Sequence, residues 1–398
     1  MRLLNVFAFY TIIIKVNGEN YNMIEINGKY TNAKIYAKTM DDNVVAQVQR
    51  VVDHPIFKDA NVRIMPDCHT GKGSVIGFTS TMPKGGEIIP NLIGVDQSCG
   101  MLCIKLKKSK NDRDYKKLDK VIRNNIPTGA GGVRREVYSK VINNDYIVDM
   151  TKEASALLNI DYENQLKKIG TLGGGNHFIS IEKGEDANYL IIHSGSRNIG
   201  LLLAEHFQRL AIEKHCYGEG IEKELSFIDG NDAKDYLRYA AYCDEYARLS
   251  RKVMADIIMD EMGFAEVESF TTVHNYINQE DMIIRKGAVS CKKDEKILIP
   301  INMAYGSFIV RGLGNEEWNN SAPHGAGRIY SRTKALTEFT MKEYKESMKG
   351  IHSDCISPKT LDESPMAYKD GEEIKELIGE TGVIVEHLKP AYNFKAAN

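Results

Sequence analysis

Residues 189–200, YLIIHSGSRNIG, pass from an apolar run into a turn built of serine and glycine. Tyr189, Leu190, Ile191 and Ile192 suit a pleated, buried surface, so 189–193 reads as a strand that carries His193 at its end. From Leu201 to Cys216 the chain reads as a helix. A histidine is thus delivered by a strand to a glycine-bearing turn that precedes a helix.

The same construction recurs on both sides. Short runs at 62–65, 75–79, 101–106 and 308–310 are bounded by Gly, Asp or Pro and read as strands. Further helical stretches cover 152–168, 233–261 and 333–348. The longest carries Tyr236, Leu237, Ala240, Ala241, Tyr242, Ala247, Leu249, Val253, Ile257 and Ile258, a spacing that buries one stripe against a sheet. This mixture predicts an irregular α+β fold. No internal repeat, low-complexity tract or Pro/Ser-rich linker divides the chain, which predicts one interlocked domain over 23–398. Residues 1–22 are expected to be an extension outside that fold. Their apolar run is broken by Asn5, no small-residue cleavage site follows before Glu19, and the run falls short of the roughly 20 apolar residues of a membrane span.

With 398 residues, 42% hydrophobic and 27% charged, the chain can bury a large core. A net charge of −2 provides no general basic field, so any contact with a nucleic acid must come from a local patch or a metal. The seven cysteines (68, 99, 103, 216, 243, 291 and 355) are odd in number and form no CxxC pair. That pattern predicts a reducing, cytoplasmic setting in which a special cysteine is a ligand or nucleophile.

Chemistry concentrates in five segments: PDCHTGKG (66–73), GVDQSCGM (94–101), GTLGGGNHF (170–178), IIHSGSRNIG (191–200) and SAPHGAGRIYSR (321–332). GTLGGG lacks the GxGxxG spacing, which excludes a dinucleotide fingerprint. Any one of these turns is commonplace, but His69, His177, His193, His274 and His324 all fall beside turn glycines or at a strand end. One thiolate, one carboxylate and several imidazoles make a mixed donor set suited to borderline divalent ions. Asp96 and Cys99, three apart in a glycine-flanked loop, can turn toward one ion, and a thiolate can bridge two. Ser194, Ser196, Arg197, Arg328 and Arg332 are candidates for gripping phosphate, since guanidinium forks match two phosphate oxygens. Arg134 and Arg135 are weaker candidates for backbone contacts with a nucleic acid.

GVDQSCGM, GGGNHF, HSGSR, VHN and PHGAGR, in this order, resemble the RtcB family of RNA-splicing and RNA-repair ligases, in a bacterial side branch, from about Met23 onward. The resemblance implies a single α+β domain with mixed sheets around a central metal and nucleotide cleft, flanked by helices. It implies two Mn²⁺ ions, one held by Asp96, Cys99 and His177, the other by Cys99, His193 and His274. His324 resembles the guanylylated nucleophile, with Asp67 orienting it and Arg197 gripping RNA phosphate. Asn176, Phe178, Pro300, Asn302, Ser307, Ala326, Gly327 and Lys395 would line the GTP pocket. Many relatives carry Glu two residues after the Phe of GNHF; Ser180 stands there in this chain, and Glu182 shares its strand face.

The implied activity joins RNA 2′,3′-cyclic-phosphate or 3′-phosphate ends to 5′-hydroxyl ends, as in RNA repair or tRNA splicing. Two other readings use the same residues. A dinuclear phosphoesterase would activate water with this ligand set, and a non-catalytic RNA-binding protein would use it structurally. Covalent GMP on the chain distinguishes the first from both.

Overall fold

Apolar residues at every position of Leu190–Ile192 leave no polar face, and the strand that contains them is buried on both sides. The computed structural model describes residues 23–108, 113–129, 131–215 and 221–396. The expected extension, 1–22, lies outside them, as does Cys216.

A seven-stranded antiparallel sheet runs in the spatial order Lys296–Asn302, Gly306–Gly312, Gly382–Lys395, Phe178–Lys183, Asn188–Ser194, Gly100–Leu106 and Glu266–Val273. On one face Leu190 and Ile192 join Ile104, Ile179 and Ile181 against Met254, Ala255 and Ile258 of the long helix Gly230–Met262. On the other, Tyr189 and Ile191 meet Leu298, Ile309 and Leu388. His193 projects on this second face, two residues beyond Ile191.

A second sheet has six strands in the order Ile24–Asn27, Asn32–Ile35, Val62–His69, Ile76–Thr81, Ile283–Lys286 and Asn275–Asn278. Its one parallel pair, Asn32–Ile35 with Val62–His69, is joined by a crossover containing helix Asp42–Val52, the long connection such a pair requires. A two-stranded ribbon, Ala288–Ser290 with Ser321–Pro323, carries the chain toward His324. The two large sheets meet at His274, which lies between Glu266–Val273 on the edge of one and Asn275–Asn278 on the edge of the other.

The mixed α/β architecture agrees with the sequence-based expectation, and the long helix spans Gly230–Met262 against the expected 233–261. Its buried stripe differs in content. Tyr239, Tyr246, Ser250 and Arg251 are buried, while Leu237, Ala240, Ala241 and Leu249 are only partly so. The helix expected at 152–168 is two, Asp145–Leu158 and Tyr162–Lys167, because Asn159 adopts a left-handed conformation (φ 52°) that ends the first. The helix expected at 333–348 also divides, into Arg332–Glu338 and Met341–Ser347. Thr340 starts the second with a capping box closed by Glu343.

Candidate metal and nucleotide site

Four strand ends converge where the sheets meet. Cys99 immediately precedes Gly100–Leu106, His177 precedes Phe178–Lys183, His193 lies near the end of Asn188–Ser194, and His274 follows Glu266–Val273. Sheet register sets their spacing: Met101 and Phe178 both pair with His193, and the His274 N–H donates to the Cys99 carbonyl at 3.0 Å. Cys99 Sγ stands 3.1 Å from His193 Nε2 and 3.3 Å from His177 Nε2; His177 Nε2 is 3.0 Å from Asp96 Oδ2, and His193 Nε2 is 3.4 Å from His274 Nε2.

These atoms fall into two groups, Asp96–Cys99–His177 and Cys99–His193–His274, each with ligand atoms within 4.8 Å of one another. The donor chemistry fits cations. His193 Nδ1 faces the Asn176 carbonyl (3.2 Å), which places its ring proton on Nδ1 and leaves the Nε2 lone pair pointing into the cluster, whereas His177 Nδ1 has the Leu172 carbonyl at 2.9 Å and the Arg197 guanidinium at 3.1 Å. Burial pushes the His193 and His274 imidazoles well below the usual histidine range, so both are neutral donors. Lone pairs that converge with so few protons to share are what a divalent ion satisfies.

The turns that hold these ligands are tight. A Cβ on Gly195 would overlap Asp96 Oδ1, and Ser98 (φ 57°) and Arg197 (φ 60°) both take the left-handed conformation. Such non-glycine residues cost of order 1 kcal/mol each and persist where the surroundings hold them. Behind the cluster, Arg251 is 1% exposed and donates to the carbonyls of Ser98 (3.2 Å) and Ser194 (2.8 Å), tying the two turns together.

The second group opens onto a cavity of about 280 Å³, at the small end of ligand pockets. His324 lines it, 4.9 Å centroid to centroid from His274. Asp67, fully buried, accepts from His324 Nδ1 at 2.6 Å, which leaves His324 Nε2 as the ring's unprotonated nitrogen. Asn176, Phe178, Pro300 and Asn302 line the cavity, as do Ser307, Ala326, Gly327 and Lys395. Glu182 is also in its wall; burial pushes its carboxyl up to about 7 against the hydroxyl donors of Ser307 (3.1 Å) and Ser180 (3.2 Å).

Several residues stand elsewhere than expected. The Ser194 and Ser196 hydroxyls are buried and bond the carbonyls of Leu172 and Gln97, so they brace the turn and present nothing to a phosphate. Arg197 lies on the Asp96 side of the cluster, its Nη1 3.1 Å from His177 Nδ1, and is not among the residues lining the cavity. Arg134 bonds the Asn125 carbonyl and covers Tyr138, a fold contact. Arg328 and Arg332 line the cavity but are anchored to Glu363. Sequence reasoning missed Glu363 and Arg251. Nothing near Glu363 signals its role, whereas Arg251 is four residues after Ala247 on the buried helical stripe, a visible anomaly.

Paired groups of Asp, Cys and His donor atoms with the spacing of a metal site, opening on a pocket that contains an oriented histidine, fit one class, the metal-dependent enzymes. Comparison with known proteins narrows it: the family described as tRNA-splicing ligase RtcB matches residues 47–396. The RNA-splicing ligase RtcB of Escherichia coli K12 is 34% identical over 355 residues, covering 79% of this chain and 84% of its own length. The tRNA-splicing ligases RtcB of Methanococcus maripaludis (24% identical; 88% and 91% covered) and Aeropyrum pernix (25%; 90% and 94%) are also similar. The chain belongs to the RtcB family of RNA ligases. Among the described residues no helix is long and apolar enough to cross a membrane.

Proposed function

We propose that this chain, as one domain from Met23 onward, is a GTP-dependent RNA ligase acting in the cytoplasm on 2′,3′-cyclic-phosphate or 3′-phosphate ends and 5′-hydroxyl ends. The observation that carries the reading is His324, held by Asp67 and presenting a free Nε2 to a pocket beside the His/Cys/Asp cluster. Two Mn²⁺ ions, held by Asp96, Cys99 and His177 and by Cys99, His193 and His274, would neutralise charge on phosphoryl oxygens.

His324 Nε2 attacks the α-phosphorus of GTP; the N–P bond forms as the bond to the bridging oxygen breaks and pyrophosphate leaves. Asp67 stabilises the charge that develops on the imidazole. The guanylyl group then passes to an RNA 3′-phosphate, generated from a cyclic end by water, and the P–N bond breaks. Attack by a 5′-hydroxyl on the activated phosphorus forms the new phosphodiester and releases GMP. Arg197, on the Asp96 side, is assigned to the RNA phosphate, opposite the nucleotide pocket. Glu182 replaces the glutamate that Ser180 lacks, accepting from the guanine N1–H and N2 amino groups.

The test is incubation with α-phosphate-labelled GTP and Mn²⁺. Label should remain on the wild-type chain in an acid-labile form and be absent from His324→Ala. Hydrolysis of phosphodiesters without any covalent GMP would favour the phosphoesterase reading and end this one.

A further inference from the structure

Glu363 closes the short turn Pro358–Glu363, outside every motif, yet its carboxylate forms part of the nucleotide pocket's wall at 2% exposure. Oε1 accepts from Arg328 Nη1 at 3.2 Å and Arg332 Nη1 at 2.5 Å; Oε2 accepts from Lys395 Nζ at 2.6 Å and Tyr368 Oη at 2.7 Å. Burial alone would raise its carboxyl, but Lys395 and Arg332 outweigh it and bring it down to about 2, so the group is charged.

An anion in a pocket for a polyphosphate is electrostatically unfavourable for binding and calls for a compensating role. Without Glu363, three cations would face one another across a few ångströms, repelling and free to point outward. With it, they form a fixed array. Arg332 also bonds Asp362 Oδ2 at 2.7 Å, so three cations stand against two carboxylates and the wall keeps a net positive charge. Lys395 also donates to the Asn176 carbonyl at 3.1 Å, the same oxygen that His193 Nδ1 faces, which links the array to a candidate metal ligand.

We propose that Glu363 is a positioning residue that pre-assembles Arg328, Arg332 and Lys395 into a rigid cationic wall for the phosphoryl oxygens of the substrate. The inference rests on the ligase reading above and adds to it the residue that orders its phosphate-binding side. Preorganisation of this kind lowers the entropic cost of gripping a phosphate.

The test uses Glu363→Gln and Glu363→Asp in the full chain, with metal content and thermal midpoint measured alongside. One arm reads the KM for GTP in labelling of the chain; the other chases labelled chain with RNA bearing a 3′-phosphate. Both variants should raise KM about tenfold in at least one arm, equivalent to losing one charge-assisted bond, with kcat changed by no more than about threefold. A shift in the first arm assigns the wall to the nucleotide phosphates, and a shift in the second to the RNA phosphate. Should the Gln variant fail to fold, the Asp variant, which keeps the charge and withdraws it by one methylene, tests position alone. A KM at or below the wild-type value in both arms overturns the proposal, since removing a negative charge would then have outweighed any loss of order. A wild-type chain that takes no label overturns the ligase reading and this inference with it, whereas normal wild-type labelling with unchanged variants removes this inference alone.

Discussion

Asp67 Oδ2 accepts from three N–H groups at once, His324 Nδ1 at 2.6 Å, the His324 backbone at 3.0 Å and the Gly325 backbone at 3.2 Å. A carboxylate so engaged fixes both the tautomer and the direction of the ring. Asp67→Asn should therefore fold and bind metal yet lose guanylylation by about 10² or more, since an amide can donate to Nδ1 and favour the wrong tautomer; a labelling rate within a few-fold of wild type would contradict this. Cys99 belongs to both ligand groups, so Cys99→Ala should lower Mn²⁺ content from two per chain toward none, measured by atomic absorption, and retention of both ions would disprove a bridge. Glu182 offers a pH signature. Its folded carboxyl is raised from 4.5 to about 7, so the folded chain keeps a proton that the unfolded chain has released between those values. Stability contributed by this group therefore falls as pH rises through that window. Glu182→Gln should raise the thermal midpoint at pH 8 but hardly at pH 4.5, and equal shifts at both would refute the assignment. At this scale the sequence made the candidate ligand residues legible because each stands close to a turn glycine or, as His274 does, at a strand end. Ser194 and Ser196 misled because a hydroxyl beside an anion-binding turn can as well brace a carbonyl, a choice only the tertiary path of Leu172 and Gln97 settles.

Among the elements, the strand Asn188–Ser194 bears most on the site, since it carries His193 on one face while Ile192 packs on the long helix from the other. Ile192→Ala should cost about 2–5 kcal/mol in denaturant unfolding through the cavity it leaves. A loss below about 1 kcal/mol would mean the helix collapses onto the gap. Helix Met341–Ser347 is held by the Thr340 cap, and Thr340→Ala should cost about 1 kcal/mol with little effect on labelling. Apolar runs announced the strands, which in the fold extend past their sequence bounds, as Val62–His69 does beyond 62–65. Helix breaks were less legible. Asn159 and Thr340 are ordinary polar residues within continuous helical spacing, and what ends each helix is a backbone angle or a cap, not a change of periodicity.

For the whole molecule, a net charge of −2 confines attraction for RNA to local groups of cations, such as those around the site. The logarithm of RNA affinity should fall with the logarithm of salt with a slope shallower than about −3, as expected for only a few phosphate contacts on a single strand. A slope near that of extensively basic nucleic-acid binders would place the interface elsewhere. The composition made this confinement legible, but not the meeting of the two sheets, because nothing local to His274 tells that its neighbours on either side pair in different sheets. That junction has a thermodynamic consequence. A metal bound through Cys99, His193 and His274 would clamp the strand ends beside that junction and add its binding free energy to folding; a chelator should lower the thermal midpoint of the loaded chain, and an unchanged midpoint would argue against a bound ion.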